Sequence, residues 1–184
     1  ATSGKYLIYN LGGNGFKIEG SSNTIYSGNT SNNIIAGDIA GSGRYALVTE
    51  TQGYPSSLSV YLTDNTVQYK YDFSEYYVTD ISLNSDGTRA AVSGIAAKDG
   101  GIVSAVYIFD FSNPEPIAIL TYNEVLMEKV EYMDNGTVVA IGDTTTSMIN
   151  GTTGEKVDYN YQSRQMTDYA IDKNRVALAL TPYD

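Results

Sequence analysis

A strand-turn-strand motif that occurs four times is the feature that most constrains how this chain can fold. Each copy joins an alternating apolar strand, a short polar turn and a second strand rich in Ala, Val and Leu. The copies span residues 37–48, 79–92, 129–141 and 167–178. Their turn residues Gly43, Gly87, Gly136 and Asn174 are 44, 49 and 38 residues apart. This spacing straddles the period of about 40–50 residues that is typical of propeller blades.

Two further strands are predicted between successive copies. After the first copy, segments 58–62 and 67–71 flank a hairpin sequence, and after the second, segments 105–109 and 117–120 flank a loop with two prolines. The segment 122–128 is the one candidate for a helix, and we expect it to connect two repeat units instead. Each unit is then four short strands that must stack on its neighbours to bury both faces. The sequence therefore predicts an all-β, β-propeller-like fold with about four repeat units of four-stranded antiparallel blades.

The strands of the motif supply the predicted core. Because their apolar residues alternate, one set of side chains should lie between neighbouring blades. The residues expected to be mostly buried are Ile39, Ala46, Val48, Ile81, Ala90, Val92, Val130, Val139, Ile141, Ala177 and Leu178.

The two ends of the sequence look like incomplete blades. We expect one propeller-like domain over 1–184, with blade pieces at about 1–33, 34–74, 75–123, 124–162 and 163–184. The first piece resembles an outer hairpin without inner strands, and the last resembles two inner strands without an outer pair. Three arrangements satisfy this pattern: the termini complete one blade of a small ring, the chain is part of a larger propeller, or two chains assemble into one ring.

The charge balance excludes two classes of partner. With 21 Asp and Glu against 11 Lys and Arg, the formal net charge is −10, which repels nucleic-acid phosphates and anionic membrane surfaces. No apolar run approaches the roughly 18 residues of a membrane span. We expect no nucleic-acid partner, and contact with a membrane only through a tether outside this sequence.

The chain contains neither His nor Cys. This removes Ser-His-Asp and Cys-His catalysis, thiolate and imidazole metal ligands, and disulfides. No phosphate-binding or cofactor motif replaces them, because the glycine-rich segment 12–15 is followed by a strand pattern rather than a helix. The sequence therefore predicts no cofactor and no enzymatic activity.

Acidic residues next to the repeated strand are the candidate ligand-binding positions. Asp38, Asp80 and Asp168 precede the apolar core of the first strand in three of the copies. In a propeller this places them near the central channel, where a ring of carboxylates could bind Ca²⁺ or a cationic group. The alternative is that each Asp accepts hydrogen bonds from nearby backbone. No closely spaced string of oxygen ligands is present, which favours the backbone role and predicts no metal site.

The sequence also resembles known families. The stretch 81–92, Ile-Ser-Leu-Asn-Ser-Asp-Gly-Thr-Arg-Ala-Ala-Val, followed by Val106-Tyr107-Ile108-Phe109-Asp110, resembles blades of WD-repeat-like propellers, although the Gly-His and Trp-Asp signatures are absent. The segments 39–43, 53–61 and 99–104 resemble uncharacterised propeller-like ectodomains of Gram-positive bacteria. That resemblance implies an extracellular, cell-surface location, a single N-terminal transmembrane tether and a larger ectodomain, and it implies no known activity.

Two functions remain open at this stage. The first is a binding or scaffolding module that displays loops to a protein, peptide or glycan, and it is favoured by the 17 Tyr residues and the absence of His and Cys. The second is a hydrolase or lyase for glycans that works with carboxylates alone. A cleft with two carboxylates, one with a raised pKa, would favour the enzyme. Self-association to complete the propeller is a further expectation, since an open arc exposes strand edges and apolar faces.

Overall fold

The computed structural model describes residues 4–182, and every regular element in that range is a β-strand. The strands of the first half are β1 Tyr6–Tyr9, β2 Gly15–Glu19, β3 Thr24–Asn29, β4 Ile34–Ile39, β5 Tyr45–Thr51, β6 Tyr54–Tyr61, β7 Val67–Phe73 and β8 Tyr77–Leu83. The remaining strands are β9 Arg89–Lys98, β10 Gly101–Asp110, β11 Ala118–Asn123, β12 Met127–Tyr132, β13 Thr137–Gly142, β14 Thr145–Asn150, β15 Lys156–Asn160, β16 Met166–Asp172 and β17 Arg175–Leu180. The segment 122–128 contains the end of β11 and the start of β12, so it is a connection as expected.

These strands form separate antiparallel sheets in chain order. Three are complete four-stranded sheets, β4–β7, β8–β11 and β12–β15, and each runs from its first strand to its last without a crossover. The chain begins with the three-stranded sheet β1–β3 and ends with the two-stranded sheet β16–β17. The predicted all-β, propeller-like architecture of four-stranded units is confirmed.

The two end sheets do not share a blade. Strands β1–β3 and β16–β17 belong to different sheets, with no strand pairing between them in residues 4–182. Strand β3, Thr24–Asn29, was not expected from the sequence and makes the first sheet three-stranded. The described arrangement is therefore a partial propeller, and the termini do not complete one blade of a small ring.

The four sequence motifs occupy equivalent positions, as their backbone irregularities show. The strands that open the four later sheets, β4, β8, β12 and β16, are called inner strands below. Each inner strand has a register shift next to its partner, centred on Ile35, Thr79, Glu128 and Thr167. The turns that follow contain Gly43, Gly87 and Gly136 with φ of 89°, 70° and 83°, and Lys173 with φ of 45°. Positive φ is what a tight antiparallel turn demands.

The core lies between the sheets. The largest apolar cluster joins β4–β7 to β8–β11, and it includes Leu58, Val60, Leu83, Val92 and Phe109. Corresponding clusters join β1–β3 to β4–β7, β8–β11 to β12–β15, and β12–β15 to β16–β17. Burial of opposed apolar faces at roughly 25 cal/mol per Å² is the dominant stabilising contribution in such a stack.

Nine of the eleven predicted core residues are buried, and the two exceptions lie in the last sheet. Ala177 is exposed and Leu178 is half-buried. Leu178 packs against β12–β15, whereas Ala177 faces the opposite side, which no other described sheet covers. The prediction failed at these positions because it assumed a neighbour on both sides of every sheet.

Successive connections alternate between the two ends of the sheets. The first face carries the turns after the inner strands and the turn between β14 and β15, and residues at this end of neighbouring sheets bond to one another. Ser42 Oγ donates to the carbonyl of Asp86 (2.8 Å), Arg89 Nη1 donates to the carbonyl of Gly151 (3.1 Å), and the Asp134 N–H donates to the carbonyl of Lys173 (3.2 Å). The second face carries the connections between sheets, at 30–33, 74–76, 124–126 and 161–165. Residues 4–182 contain no helix long and apolar enough to cross a membrane.

We predict that Leu58→Ala lowers the free energy of unfolding by about 3 kcal/mol, because it removes a fully buried side chain and leaves a cavity between two sheets. Leu11→Ala is the matched control, since Leu11 is 70% exposed. The control should change stability by less than about 0.5 kcal/mol. Urea unfolding of both variants measures the difference, and equal effects would contradict the packing described.

Candidate functional site

The polar residues of the inner strands form the candidate site. Residues of the four inner strands can be compared by counting from the register shift. In the order β4, β8, β12 and β16, the first residue after the shift is Ala36, Asp80, Lys129 and Asp168. The third residue after the shift is Asp38, Ser82, Glu131 and Ala170. Asp80 and Asp168 are therefore equivalent, whereas Asp38 lies two residues further along its strand. The three predicted residues do not form one ring of carboxylates.

Asp38 joins two sheets through backbone hydrogen bonds. Its Oδ1 accepts the N–H of Ile39 (2.8 Å), and its Oδ2 accepts the N–H of Leu83 on the next inner strand (2.7 Å). Burial raises the pKa of this carboxyl to about 6, although the two N–H groups oppose the shift; the negative charge of Glu131 adds to it. Both oxygens are thus used by the fold.

Asp80 and Lys129 form an ion pair on adjacent inner strands. Lys129 Nζ lies 3.1 Å from Asp80 Oδ2 and 3.6 Å from Glu131 Oε2. The same Asp80 oxygen accepts the N–H of Val130 (3.0 Å). Burial alone would lower the pKa of Lys129, but the charges of Asp80, Glu131 and Asp38 outweigh it and raise that pKa. Side-chain exposures of 23%, 33% and 41% for Asp80, Lys129 and Glu131 leave the group partly open to solvent.

Serine side chains extend the same pattern. Ser82 Oγ accepts the N–H of Tyr132 (2.9 Å), in the position equivalent to Asp38. Ser56 and Ser104, on the third strands of their sheets, accept the N–H groups of Val78 (3.3 Å) and Met127 (3.0 Å). Side-chain oxygens of one sheet therefore repeatedly hold the inner strand of the next sheet.

Asp168 lies apart from this group. Its Oδ1 accepts the N–H of Tyr169 (2.8 Å), and its Oδ2 accepts no hydrogen bond from residues 4–182. The residue is exposed on the last sheet. The structure thus brings Asp38 and Asp80 to neighbouring strands and leaves Asp168 at the end of the arc.

The group is poorly suited to bind a metal or to catalyse hydrolysis. In residues 4–182, no cluster of three or more carboxylates has the geometry of a metal site. A cation would have to displace Lys129 from Asp80. Asp38 has the raised pKa that an acid catalyst needs, but both of its oxygens are held by backbone N–H groups. Residues 85–88, Ser-Asp-Gly-Thr, form the hairpin turn between β8 and β9, in which Asp86 Oδ1 accepts the N–H (3.0 Å) and hydroxyl (2.6 Å) of Thr88.

Sequence reasoning missed three members of the group: Lys129, Glu131 and Tyr9. Tyr9, on β1, packs against the cluster that contains Ile34 and Ile39 of β4, and its pKa is raised first by burial and then by the charge of Asp80. Lys129 and Glu131 stand on either side of Val130 in the third motif, so aligning the four motifs by strand alternation would have revealed them. No pattern in the sequence indicates Tyr9, because its proximity depends on the three-stranded first sheet.

We predict a pH-dependent effect for Asp38→Asn. The pKa of Asp38 is raised from 3.8 to about 6 on folding, so the folded protein favours the protonated carboxyl. The resulting contribution to the free energy of unfolding is complete below pH 3.8 and is lost as the pH rises through about 6. A shift of about two units corresponds to about 3 kcal/mol. The variant's stability relative to the native protein should therefore increase by up to this amount between pH 4 and 7. Urea unfolding across this range measures it, and a constant offset would contradict the raised pKa.

We predict that Asp80→Ala destabilises the protein by about 1–3 kcal/mol, because it leaves the Val130 N–H without its acceptor and removes the carboxylate nearest to Lys129. Asp72→Ala, on an exposed part of β7, removes the same charge and should cost less than about 0.5 kcal/mol. Thermal unfolding with and without Ca²⁺ completes the test. A melting temperature that Ca²⁺ raises in the native protein but not in Asp80→Ala would assign the position to a metal instead.

Two solved structures share this fold at low sequence identity. The structure described as dihydro-heme d1 dehydrogenase NirN in complex with DHE matches with a TM-score of 0.68 and 8% identity, over 95% of this chain and 39% of that one. The structure described as KlHsv2 with loop 6CD replaced by a Gly-Ser linker matches with a TM-score of 0.66 and 12% identity, over 98% and 62%. This chain spans less than two thirds of either. At such identities, the likeness supports the propeller-like fold alone.

Sequence comparison identifies the family and no activity. No curated protein matches the sequence. The likeness to propeller-like structures supports the resemblance to an uncharacterised propeller-like family, whereas the Gram-positive source and the membrane tether remain expectations. A family model, described as a family of unknown function (DUF5711), matches residues 1–183, and the chain belongs to that family.

Proposed function

We propose that this protein is a cell-surface module that binds or scaffolds an extracellular protein, peptide or glycan, and that it has no catalytic centre. The observation that carries the proposal is the engagement of the inner-strand polar groups. Asp38, Asp80 and Ser82 accept backbone N–H groups of the next sheet, so these inner-strand polar groups are used to align the sheets. A rigid stack of this kind supports loops, and such loops are where binding residues concentrate.

The second face is the better candidate for ligand contact. Residues at the first face are joined to one another by hydrogen bonds, as in the pairs Ser42–Asp86 and Arg89–Gly151. On the second face, Tyr54 and Tyr77 begin β6 and β8, and their exposures of 48% and 62% leave their rings available. Exposed tyrosine gives a large contact area at low cost in side-chain entropy. Asp38, Asp80 and Asp168 remain the polar positions to examine next.

The proposed location follows from the family resemblance. An extracellular module tethered by an N-terminal segment is consistent with a strand-only chain that lacks Cys and carries a net charge of −10. The negative charge favours basic partners over nucleic acid or anionic lipid.

The competing function is a carboxylate-based hydrolase or lyase for glycans. The raised pKa of Asp38, at about 6, is the one observation in its favour. Its two backbone hydrogen bonds argue against it, since a proton donor must also reach the substrate. If the native protein hydrolysed a glycan and Asp38→Asn abolished this turnover without weakening glycan binding, the protein would be an enzyme. This result would overturn the proposal that it has no catalytic centre.

We predict that ligand contacts map to the second face. In NMR titrations with soluble cell-wall glycan fragments and basic peptides, amide shifts should cluster at 52–54, 74–77 and 124–126. The double substitution Tyr54→Ala and Tyr77→Ala should weaken binding by at least about tenfold, as loss of two aromatic anchors does. Tyr6→Ala is the matched control, because Tyr6 is also 48% exposed but begins β1 at the opposite end. Shifts confined to the first face would contradict the assignment.

A further inference from the structure

The junction between β12–β15 and β16–β17 differs from the two junctions that precede it. Ser56, Ser104 and Thr146 lie on the third strands of their sheets, on the side of the next sheet. The hydroxyls of Ser56 and Ser104 each accept an N–H group of the next inner strand. Thr146 Oγ1 instead bonds to the hydroxyl of Tyr161 (2.6 Å). At this junction, a tyrosine of the connection 161–165 therefore takes the place of the direct contact between sheets.

A cavity of about 450 Å³ lies beside this tyrosine, at the second face. Its walls come from β12, from the turn between β13 and β14, from the connection 161–165 and from the start of β16. Tyr161 is fully buried there, and its hydroxyl also donates to the carbonyl of Gly142 (3.0 Å). The cavity is called the Tyr161 cavity below. A concave site with a few convergent polar groups is where small ligands ordinarily bind.

Two carboxylates in the Tyr161 cavity have acceptor oxygens that the fold does not use. Asp143 Oδ1 accepts the N–H of Leu126 (2.9 Å), but its Oδ2 accepts no hydrogen bond from residues 4–182. Glu128 makes neither a hydrogen bond nor an ion pair with the described residues. Burial raises the pKa of Tyr161, the hydrogen bond from Thr146 opposes this, and the charges of Asp143 and Glu128 raise it further. Both carboxylates therefore approach the buried hydroxyl.

Arg164 adds a positive charge to the same cavity. Its Nε donates to the carbonyl of Tyr161 (3.0 Å) and its Nη2 donates to the hydroxyl of Tyr159 (3.2 Å), so the guanidinium is held in place. Gln162 and Ser163 precede it with φ of 56° and 67°, a conformation that glycine adopts more readily than other residues. The cavity thus presents charges of both signs, and Arg164 is fixed by the connection that forms one wall.

We propose that the Tyr161 cavity binds the amino end of an amino acid or peptide. The ammonium group lies between Glu128 and Asp143, and the neighbouring carboxylate or carbonyl oxygen of the ligand accepts from Arg164. This inference rests on the proposed binding function, for which it names the ligand chemistry at one site of the second face. An ammonium group has three donors around a compact charge, which suits single oxygens offered by different side chains.

Other ligands fit the Tyr161 cavity less well. A neutral glycan would bring no charge to Glu128 and Asp143, although their acceptor oxygens lose water when a ligand covers them. A divalent cation would find only two carboxylates, and residues 4–182 hold no cluster of three or more acidic groups arranged as a metal site. The net charge of −10 attracts a cationic group from a distance.

NMR titration with small probes tests the proposed chemistry. L-alaninamide carries an ammonium group beside a carbonyl, whereas N-acetyl-L-alaninamide lacks the positive charge. We expect L-alaninamide to shift the amide signals of 143–144 and 161–165, and acetylation to weaken binding at least about tenfold, because it removes the charge-assisted hydrogen bonds. L-alanine and L-alanyl-L-alaninamide distinguish the sources of the ligand. Tighter binding of L-alanine would assign a free amino acid, and tighter binding of the dipeptide would assign a peptide terminus.

Substitution of Glu128 tests where the ammonium group binds. Glu128→Gln should weaken binding of L-alaninamide at least about tenfold and leave urea unfolding unchanged, because the carboxylate holds no other described residue. Glu115→Gln is the matched control, since it removes the same charge from an exposed residue between β10 and β11, at the first face. Failure of L-alaninamide to bind, equal binding of the acetylated probe, or equal weakening in the two variants would overturn the proposal.

The double substitution Tyr54→Ala and Tyr77→Ala separates this proposal from the proposed function, because both residues lie on other sheets. This variant should bind L-alaninamide as the native protein does. Peptide-induced shifts at 52–54 and 74–77 without binding of L-alaninamide would overturn only the ligand of the Tyr161 cavity. Binding of L-alaninamide without shifts at those segments would support the cavity and overturn the surface assigned to the two tyrosines.

Discussion

Side-chain oxygens that accept backbone N–H groups of the neighbouring sheet are the interaction on which the arrangement of this protein depends. Strands within a sheet satisfy one another's backbone N–H and C=O groups, but strand pairing does not determine how two stacked sheets align. Asp38 to Leu83, Asp80 to Val130 and Ser82 to Tyr132 supply that alignment close to the axis. Each such bond contributes only about 1 kcal/mol, so apolar burial holds the sheets together and these bonds define their register.

Burial of charged carboxylates at these same positions lowers the free energy of unfolding. Desolvation of Asp38 raises its pKa to about 6, and its two N–H donors compensate only in part. Asp80 avoids much of this cost because Lys129 lies 3.1 Å away and the pair stays partly exposed. A buried serine at the equivalent of Asp38, as in Ser82, makes the same contact without a charge. Different side chains in the repeats therefore accept the same backbone N–H group of the next sheet. The residue type at these sites is for this reason a poor guide to function.

The repeat period and the turn residues were sufficient to predict the fold, because strand alternation and positive-φ turns are local properties of the sequence. Gly43, Gly87 and Gly136 adopt the expected conformation, and the fourth turn uses Lys173 instead of Asn174. The relation between Asp38 and Asp80 was missed because each directly precedes an Ile, although Gly43 follows Asp38 by five residues and Gly87 follows Asp80 by seven. The exposure of Ala177 also escaped prediction, because burial depends on whether a neighbouring sheet is present.

A repeated fold gives each residue a role that is set by what lies beside it. Asp80 and Asp168 occupy the same position, yet Asp80 is bound by the next sheet and by Lys129, whereas Asp168 accepts only the N–H of Tyr169 within residues 4–182. The role of a carboxylate on an inner strand therefore depends on which donors the neighbouring sheet supplies. Exposed side chains beside the second-face connections, such as those of Tyr54 and Tyr77, take no part in these contacts. In this architecture, binding specificity can change in the loops without disturbing the contacts that align the sheets.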